Sequence, residues 1–131
     1  MDKKLLLNIS GHPLSDLANS QAKERGYKII TCPVPNVDLA EPSSIQNYIK
    51  TVFDTLTKNK NIVRAIKTGN YIVIPPGLSI LTSGITAMLH GLGGAFPNQL
   101  ILVRNNEGIY ELGDVFDLQK MRLDYRDFRN P

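Results

Sequence analysis

The chain has 131 residues, 42% of them hydrophobic, and a formal net charge of +3; that length suits a single domain, and that apolar content excludes a disordered chain. Cys32 is the only cysteine and His12 and His90 are the only histidines, which excludes an intramolecular disulfide and a thiolate metal cluster and leaves no expectation of a structural zinc site. The mild positive charge permits a polyanionic partner, but no basic run resembles a nucleic-acid arm, no stretch reaches membrane-spanning length, and the apolar run after Met1-Asp2-Lys3-Lys4 is too short for a signal peptide. The expectation is a soluble cytoplasmic protein.

Taken in order, strand and helix patterns alternate. Lys4 to Ile9 predicts a strand buried on both faces, and Ser10-Gly11-His12-Pro13-Leu14 is the turn after it. Ser15 suits the N-cap of a helix through Arg25, with Leu14, Leu17, Ala18 and Ala22 facing inward and Gly26 as its stop. Tyr27 to Thr31 predicts the second strand. Pro33, Pro35 and Asn36 force a loop, because proline cannot sit inside a central ladder. Pro42 suits the first turn of the next helix, whose apolar stripe is Ile45, Tyr48, Ile49, Val52, Phe53 and Leu56. That helix breaks at Lys58-Asn59-Lys60-Asn61, and a shorter helical piece carries Ile62, Val63 and Ile66 to Gly69.

Tyr71 to Ile74 is a third short apolar strand, ended by Pro75 and Pro76, which cannot donate to a ladder. Leu78, Leu81, Ile85, Met88 and Leu92 then recur at helical spacing. Between the two periods stands Gly77, where the backbone can turn or approach a ligand. Gln99 to Val103 predicts a fourth strand, Asn105-Asn106-Glu107-Gly108 a hairpin turn, and Ile109 to Leu112 an antiparallel edge strand. Val115 to Arg129 has mixed periodicity and reads as a helix or an extended arm. The order predicts an α/β fold, a Rossmann-like three-layer sandwich over residues 1–131, mainly parallel with an antiparallel edge strand.

In such sheets ligands bind outside the carboxyl ends of the strands. Four segments converge there: Ser10 to Leu14, Cys32 to Asn36, Pro75 to Ser79, and Arg104 to Asn106. Two of them open helices, whose first N–H groups favour an anion, and Arg104 adds a cation. The candidate ligand-binding residues are Ser10, Gly11, His12, Pro13, Leu14, Asn36, Pro76, Gly77, Leu78, Ser79 and Arg104. His12 is the neutral-pH base of the set. Plainer readings stand beside these: His12 completes a turn, Ser10 and Ser79 cap their helices, and Arg104 is a solvated charge. Cys32 reads as a small apolar packer. His90 to Pro97 links a helix end to a strand start and belongs on the opposite edge, with Gly91, Gly93 and Gly94 as a helix C-cap and loop. No dinucleotide-binding glycine pattern, phosphate-cradling loop, nucleophile elbow or paired-histidine zinc helix is present.

Asn8-Ile9-Ser10-Gly11-His12-Pro13-Leu14, Pro75-Pro76-Gly77-Leu78-Ser79, and His90-Gly91 with Gly94-Ala95-Phe96-Pro97 together resemble the small type III CRISPR ancillary family called Csx-fifteen. That family is related to the CRISPR-associated Rossmann-fold (CARF) sensors and ring nucleases, which handle cyclic oligoadenylates. The resemblance spans residues 4 to 104, departs by an extra Gly11 before His-Pro, and leaves the C-terminal tail out. It implies a CARF-like domain, a homodimer or higher homo-oligomer, no cofactor and no metal, no DNA or membrane partner, and cyclic oligoadenylate as ligand, above all cyclic tetra-adenylate. Four phosphates in a near-fourfold ring match two helix openings from each of two subunits. The implied role is a sponge in antiviral defence. Two alternatives stay open: a metal-independent ring nuclease with His12 as catalytic base, and a structural adaptor within a CRISPR system.

Overall fold

The computed structural model describes residues 3–129, so the expectations for the first two residues and the last two lie outside it. Five strands, β1 (Lys4–Asn8), β2 (Tyr27–Thr31), β3 (Tyr71–Ile74), β4 (Asn98–Arg104) and β5 (Tyr110–Asp117), alternate with five helices, α1 (Asp16–Glu24), α2 (Ser44–Thr57), α3 (Lys60–Thr68), α4 (Ser79–Gly93) and α5 (Leu118–Arg129). They form one sheet in the order β2-β1-β3-β4-β5, parallel except for the β4–β5 pair. This is the Rossmann-like α/β sandwich that the alternation predicts. β1 and β3 are central and carry helices on both faces, which is why Leu5 to Leu7 and Tyr71 to Ile74 are all buried.

Side chains alternate across each strand. Leu5, Leu7, Tyr71 and Val73 therefore meet α2, α3 and α4 on one face. Leu6, Ile72 and Ile74 meet Ala18 and Ala22 of α1 on the other. α1 is a short helix with small inward residues, and the second face is completed by β5. Arg25 donates to the carbonyls of Leu112 (3.3 Å) and Gly113 (3.1 Å), Gln21 Oε1 accepts from Leu112 N–H (2.8 Å), and Ser15 Oγ donates to Tyr110 O (2.6 Å). α1 also packs on β2, at the far edge of the sheet, so the sheet curls around α1. A bulge between Leu100 and Leu102, where two β5 residues oppose Ile101, supplies the bend. These hydrogen bonds satisfy the first part of the free edge of β5, Tyr110 to Gly113, which otherwise invites pairing with another strand.

Two expectations are corrected in detail, and the tail takes one of its two expected forms. α2 starts at Ser44, two residues after Pro42, because a turn intervenes in which Asp38 Oδ1 accepts from Ala40 N–H and Ser44 Oγ accepts from Asp38 N–H. β5 begins at Tyr110 and runs past Leu112 to Asp117, because β4 is long enough to pair with Val115, Phe116 and Asp117. The rest of the tail is helical, as α5. The expected break between the two helices is present but narrower, at Lys58 and Asn59, with Asn59 Oδ1 capping α3 by accepting from Asn61 and Ile62 N–H. His90 to Pro97 lies opposite the carboxyl ends of the strands, where Gly94 closes α4 at φ 81°. Among the described residues no helix is long and apolar enough to cross a membrane.

Candidate functional site

β1, β3 and β4 all end at one edge of the sheet, and a cleft of about 740 Å³ opens there. Ser10, His12, Pro13 and Leu14 form one wall, Pro75 and Gly77 a second, and Gly108, Ile109 and Tyr110 of the β4–β5 hairpin a third. Ile74, Leu100 and Leu102 supply an apolar floor. The cleft thus gathers five sequence-predicted residues: Ser10, His12, Pro13, Leu14 and Gly77.

The first wall hangs on Asn8, a fully buried polar side chain at the end of β1. Asn8 Nδ2 donates to His12 O (2.8 Å), while Asn8 Oδ1 accepts from Ser10 N–H (3.1 Å) and Ser10 Oγ (2.6 Å). His12 N–H donates in turn to Ser10 Oγ (3.2 Å). The Ser10 hydroxyl is therefore committed to its own turn, which corrects the expectation that it caps a helix. The His12 main chain is fixed, and the residue is exposed at the rim. Gly11 takes φ 86°, a left-handed conformation that favours glycine, and packs toward Val34 of the loop after β2.

The two helix starts are not alike. Ser15 Oγ caps α1 by accepting from Ala18 N–H (3.0 Å), and Asp16 places a carboxylate in the first turn. An anion is disfavoured there, which corrects the expectation of two anion-binding helix starts per subunit. α4 has neither a side-chain cap nor an acidic residue in its first turn, so its dipole remains available to an anion. Pro76 is buried behind this start, its carbonyl accepting from Thr82 Oγ1 (2.9 Å), while Leu78 and Ser79 are exposed on it. These three adjoin the cleft through Gly77 without lining it.

Arg104 ends β4, exposed, with its guanidinium over Gly108, where a Cβ would lie 3.3 Å from Nη2. Among the described residues no carboxylate pairs with it. It backs the hairpin wall of the cleft. Asn36 lies apart, in a cavity of about 270 Å³ with Glu41, Ser43, Asn47 and Tyr48 at the start of α2. Cys32 is buried and desolvation pushes its thiol up, as suits an apolar packer. Among the described residues no three His, Cys, Asp or Glu side chains cluster to hold a metal ion.

Sequence reasoning missed Asn8 as the residue that positions the turn, and Ile109, Tyr110, Leu100 and Leu102 as cleft residues. The sequence signal for Asn8 is an amide-bearing residue closing an otherwise apolar strand, two residues before a serine. The hairpin residues carry no such signal, because only the curl of β5 toward α1 brings them to the cleft. Chemically, the cleft offers an apolar floor, one imidazole at its rim, and an anion-favouring helix start and a guanidinium beside it. No Asp, Glu, Lys or Arg lines it. It is a cleft at the carboxyl edge of a Rossmann-like sheet, the place where sheets of this class hold their ligands. No family model, curated protein or solved structure matches the chain.

Proposed function

We propose that the chain binds a cyclic oligoadenylate, above all cyclic tetra-adenylate, as a cytoplasmic homodimer, and sequesters it to lower the second messenger during type III CRISPR signalling. The observation that supports this reading is the cleft itself. Its volume suits a nucleoside-sized group, its apolar floor suits the face of a base, and the groups that favour a phosphate, the α4 start and Arg104, lie just outside it. Each copy contributes one uncapped helix start and one Arg104, so a homodimer sets two helix dipoles and two guanidinium groups against four phosphates. Sequestration is favoured over cleavage because His12 is the one acid–base side chain that lines the cleft besides the Tyr110 phenol.

The second reading, a metal-independent ring nuclease, rests on that same imidazole. Cleavage aligns a ribose 2′-OH with its phosphate and leaves a cyclic 2′,3′-phosphate end. The deciding experiment incubates protein in molar excess with labelled cyclic tri-, tetra- and hexa-adenylate and reads retention and cleavage together. A sponge retains the tetra-adenylate and returns it whole after hours, and His12→Ala raises the dissociation constant only. A nuclease converts the ring within minutes, and His12→Ala slows single-turnover cleavage by roughly 10²- to 10⁴-fold. An outcome with neither retention nor cleavage of any of the three rings overturns both readings.

A further inference from the structure

Among the described residues α5 is the one helix with no buried residue. Its apolar side chains nevertheless form a seam. Leu118, Met121, Tyr125 and Phe128 are spaced three, four and three apart, and fall within about 80° of the helix circumference at roughly 100° per residue. Tyr125 is 74% and Phe128 89% exposed. A 12-residue helix is marginal in water unless an apolar face is packed.

The same chain carries an apolar surface that lacks a cover. Cross-strand partners share a face, so Gln99 with Phe116 and Val103 with Glu111 lie away from Leu100, Leu102 and Leu112. Ile101, Val103 and Phe116 are 41%, 42% and 44% exposed there. Ile101 and Val103 close over Gly113, where a Cβ would lie 2.9 Å from Ile101 Cγ1 and 2.6 Å from Val103 Cγ2, so the patch is continuous. α4 reaches its edge, where Gln99 Nε2 donates to Thr86 Oγ1 (3.0 Å). The chain's own α5 leaves the sheet at the other end of β4, following β5 without a linker and held by Phe96 N–H donating to Gln119 Oε1 (2.9 Å).

Charge matches the two surfaces. α5 holds Lys120, Arg122, Arg126 and Arg129 against Asp124 and Asp127, and Arg122 and Arg129 border the seam. β5 holds Glu111, Asp114 and Asp117 and no basic residue.

We propose that α5 of one copy docks its seam on the β4–β5 face of a second copy, and reciprocally, in a twofold homodimer. Each helix-on-sheet contact joins Met121, Tyr125 and Phe128 to Ile101, Val103 and Phe116, with Arg122 and Arg129 facing Glu111 and Asp114. Two such contacts bury on the order of 1,200–1,600 Å², the size of a standard specific interface. The proposal rests on the homodimer of the functional reading and is independent of its ligand.

The test is the oligomeric state of the full chain by sedimentation equilibrium, with circular dichroism as a check on folding. Tyr125→Asp/Phe128→Asp on the helix, and Ile101→Asp/Val103→Asp on the sheet, each weaken the dimer by about 100-fold or more. Glu111→Arg, which leaves the apolar patch intact, weakens it by about tenfold and keeps the proposal testable if the sheet variant fails to fold. Mixing helix and sheet variants restores heterodimers, because one intact helix meets one intact sheet face. A monomeric wild type overturns both this proposal and the homodimer of the functional reading. A dimer that survives the helix variant, or a sheet variant that stays dimeric through α5–α5 pairing, overturns the docking alone and leaves oligoadenylate binding to its own assay.

Discussion

Asn8 joins the core to the candidate site, so removing its side chain tests both. Asn8→Ala deletes one bond to His12 O and two accepted from Ser10, all formed by a fully buried side chain. At about 0.5–1.5 kcal/mol net for each of the three bonds, the expected loss is about 1.5–4.5 kcal/mol. For a chain of this size that lowers Tm by roughly 10 °C. Asn8→Asp keeps the shape but turns an acceptor toward His12 O, where Nδ2 had donated. Burial raises the folded-state pKa of such a carboxyl above its unfolded value of about 3.9. The protonated form, which can still donate, therefore gives stability that is fully present below pH ~3.9 and is lost as pH rises through the folded pKa. Urea unfolding of both variants, with amide exchange of Ser10 and His12, measures this. An Asn8→Ala protein within about 0.5 kcal/mol of wild type, with Ser10 and His12 exchange unchanged, refutes the assignment of Asn8 as the latch of the turn.

Gly77 separates local structure from ligand contact: a Cβ there meets nothing within 4 Å and its φ is not left-handed. Gly77→Ala is thus expected to keep or raise stability, by up to about 1 kcal/mol, and to weaken tetra-adenylate binding at least tenfold if the ligand approaches this backbone; unchanged affinity leaves Gly77 an ordinary turn residue. Tyr71 is buried and desolvation pushes its phenol up to about 12. Between about pH 10 and 12 the unfolded chain releases that proton while the folded chain keeps it, so stability falls as pH rises, by at most about 2.7 kcal/mol. In Tyr71→Phe this part of the alkaline loss disappears when urea unfolding at pH 8 and 11.5 is compared; what Tyr48 contributes persists, since burial raises its phenol too. An alkaline loss identical in Tyr71→Phe assigns the effect elsewhere.

Local pattern was sufficient for most of the fold. The apolar runs of β1 and β3, the cap at Ser15, the helix break near Asn59, and the glycines that end helices at Gly69 and Gly94 report interactions within a few residues, which is the range over which sequence pattern carries information. The parallel order followed from the alternation of strands and helices, and with it the edge at which Ser10 to Leu14 and Gly77 meet. The packing of distant elements decided the rest. Tyr110 and Ile109 joined the cleft because Ser15, Gln21 and Arg25, which lie 87 to 95 residues away in sequence from the β5 atoms they bond, hold that strand against α1. The difference between the two helix starts is local instead: Ser15 and Asp16 close that of α1 to an anion, and α4 has neither. The curl of β5 also turned Ile101, Val103 and Phe116 outward, because a bulged strand that bends toward one helix presents its other face to solvent.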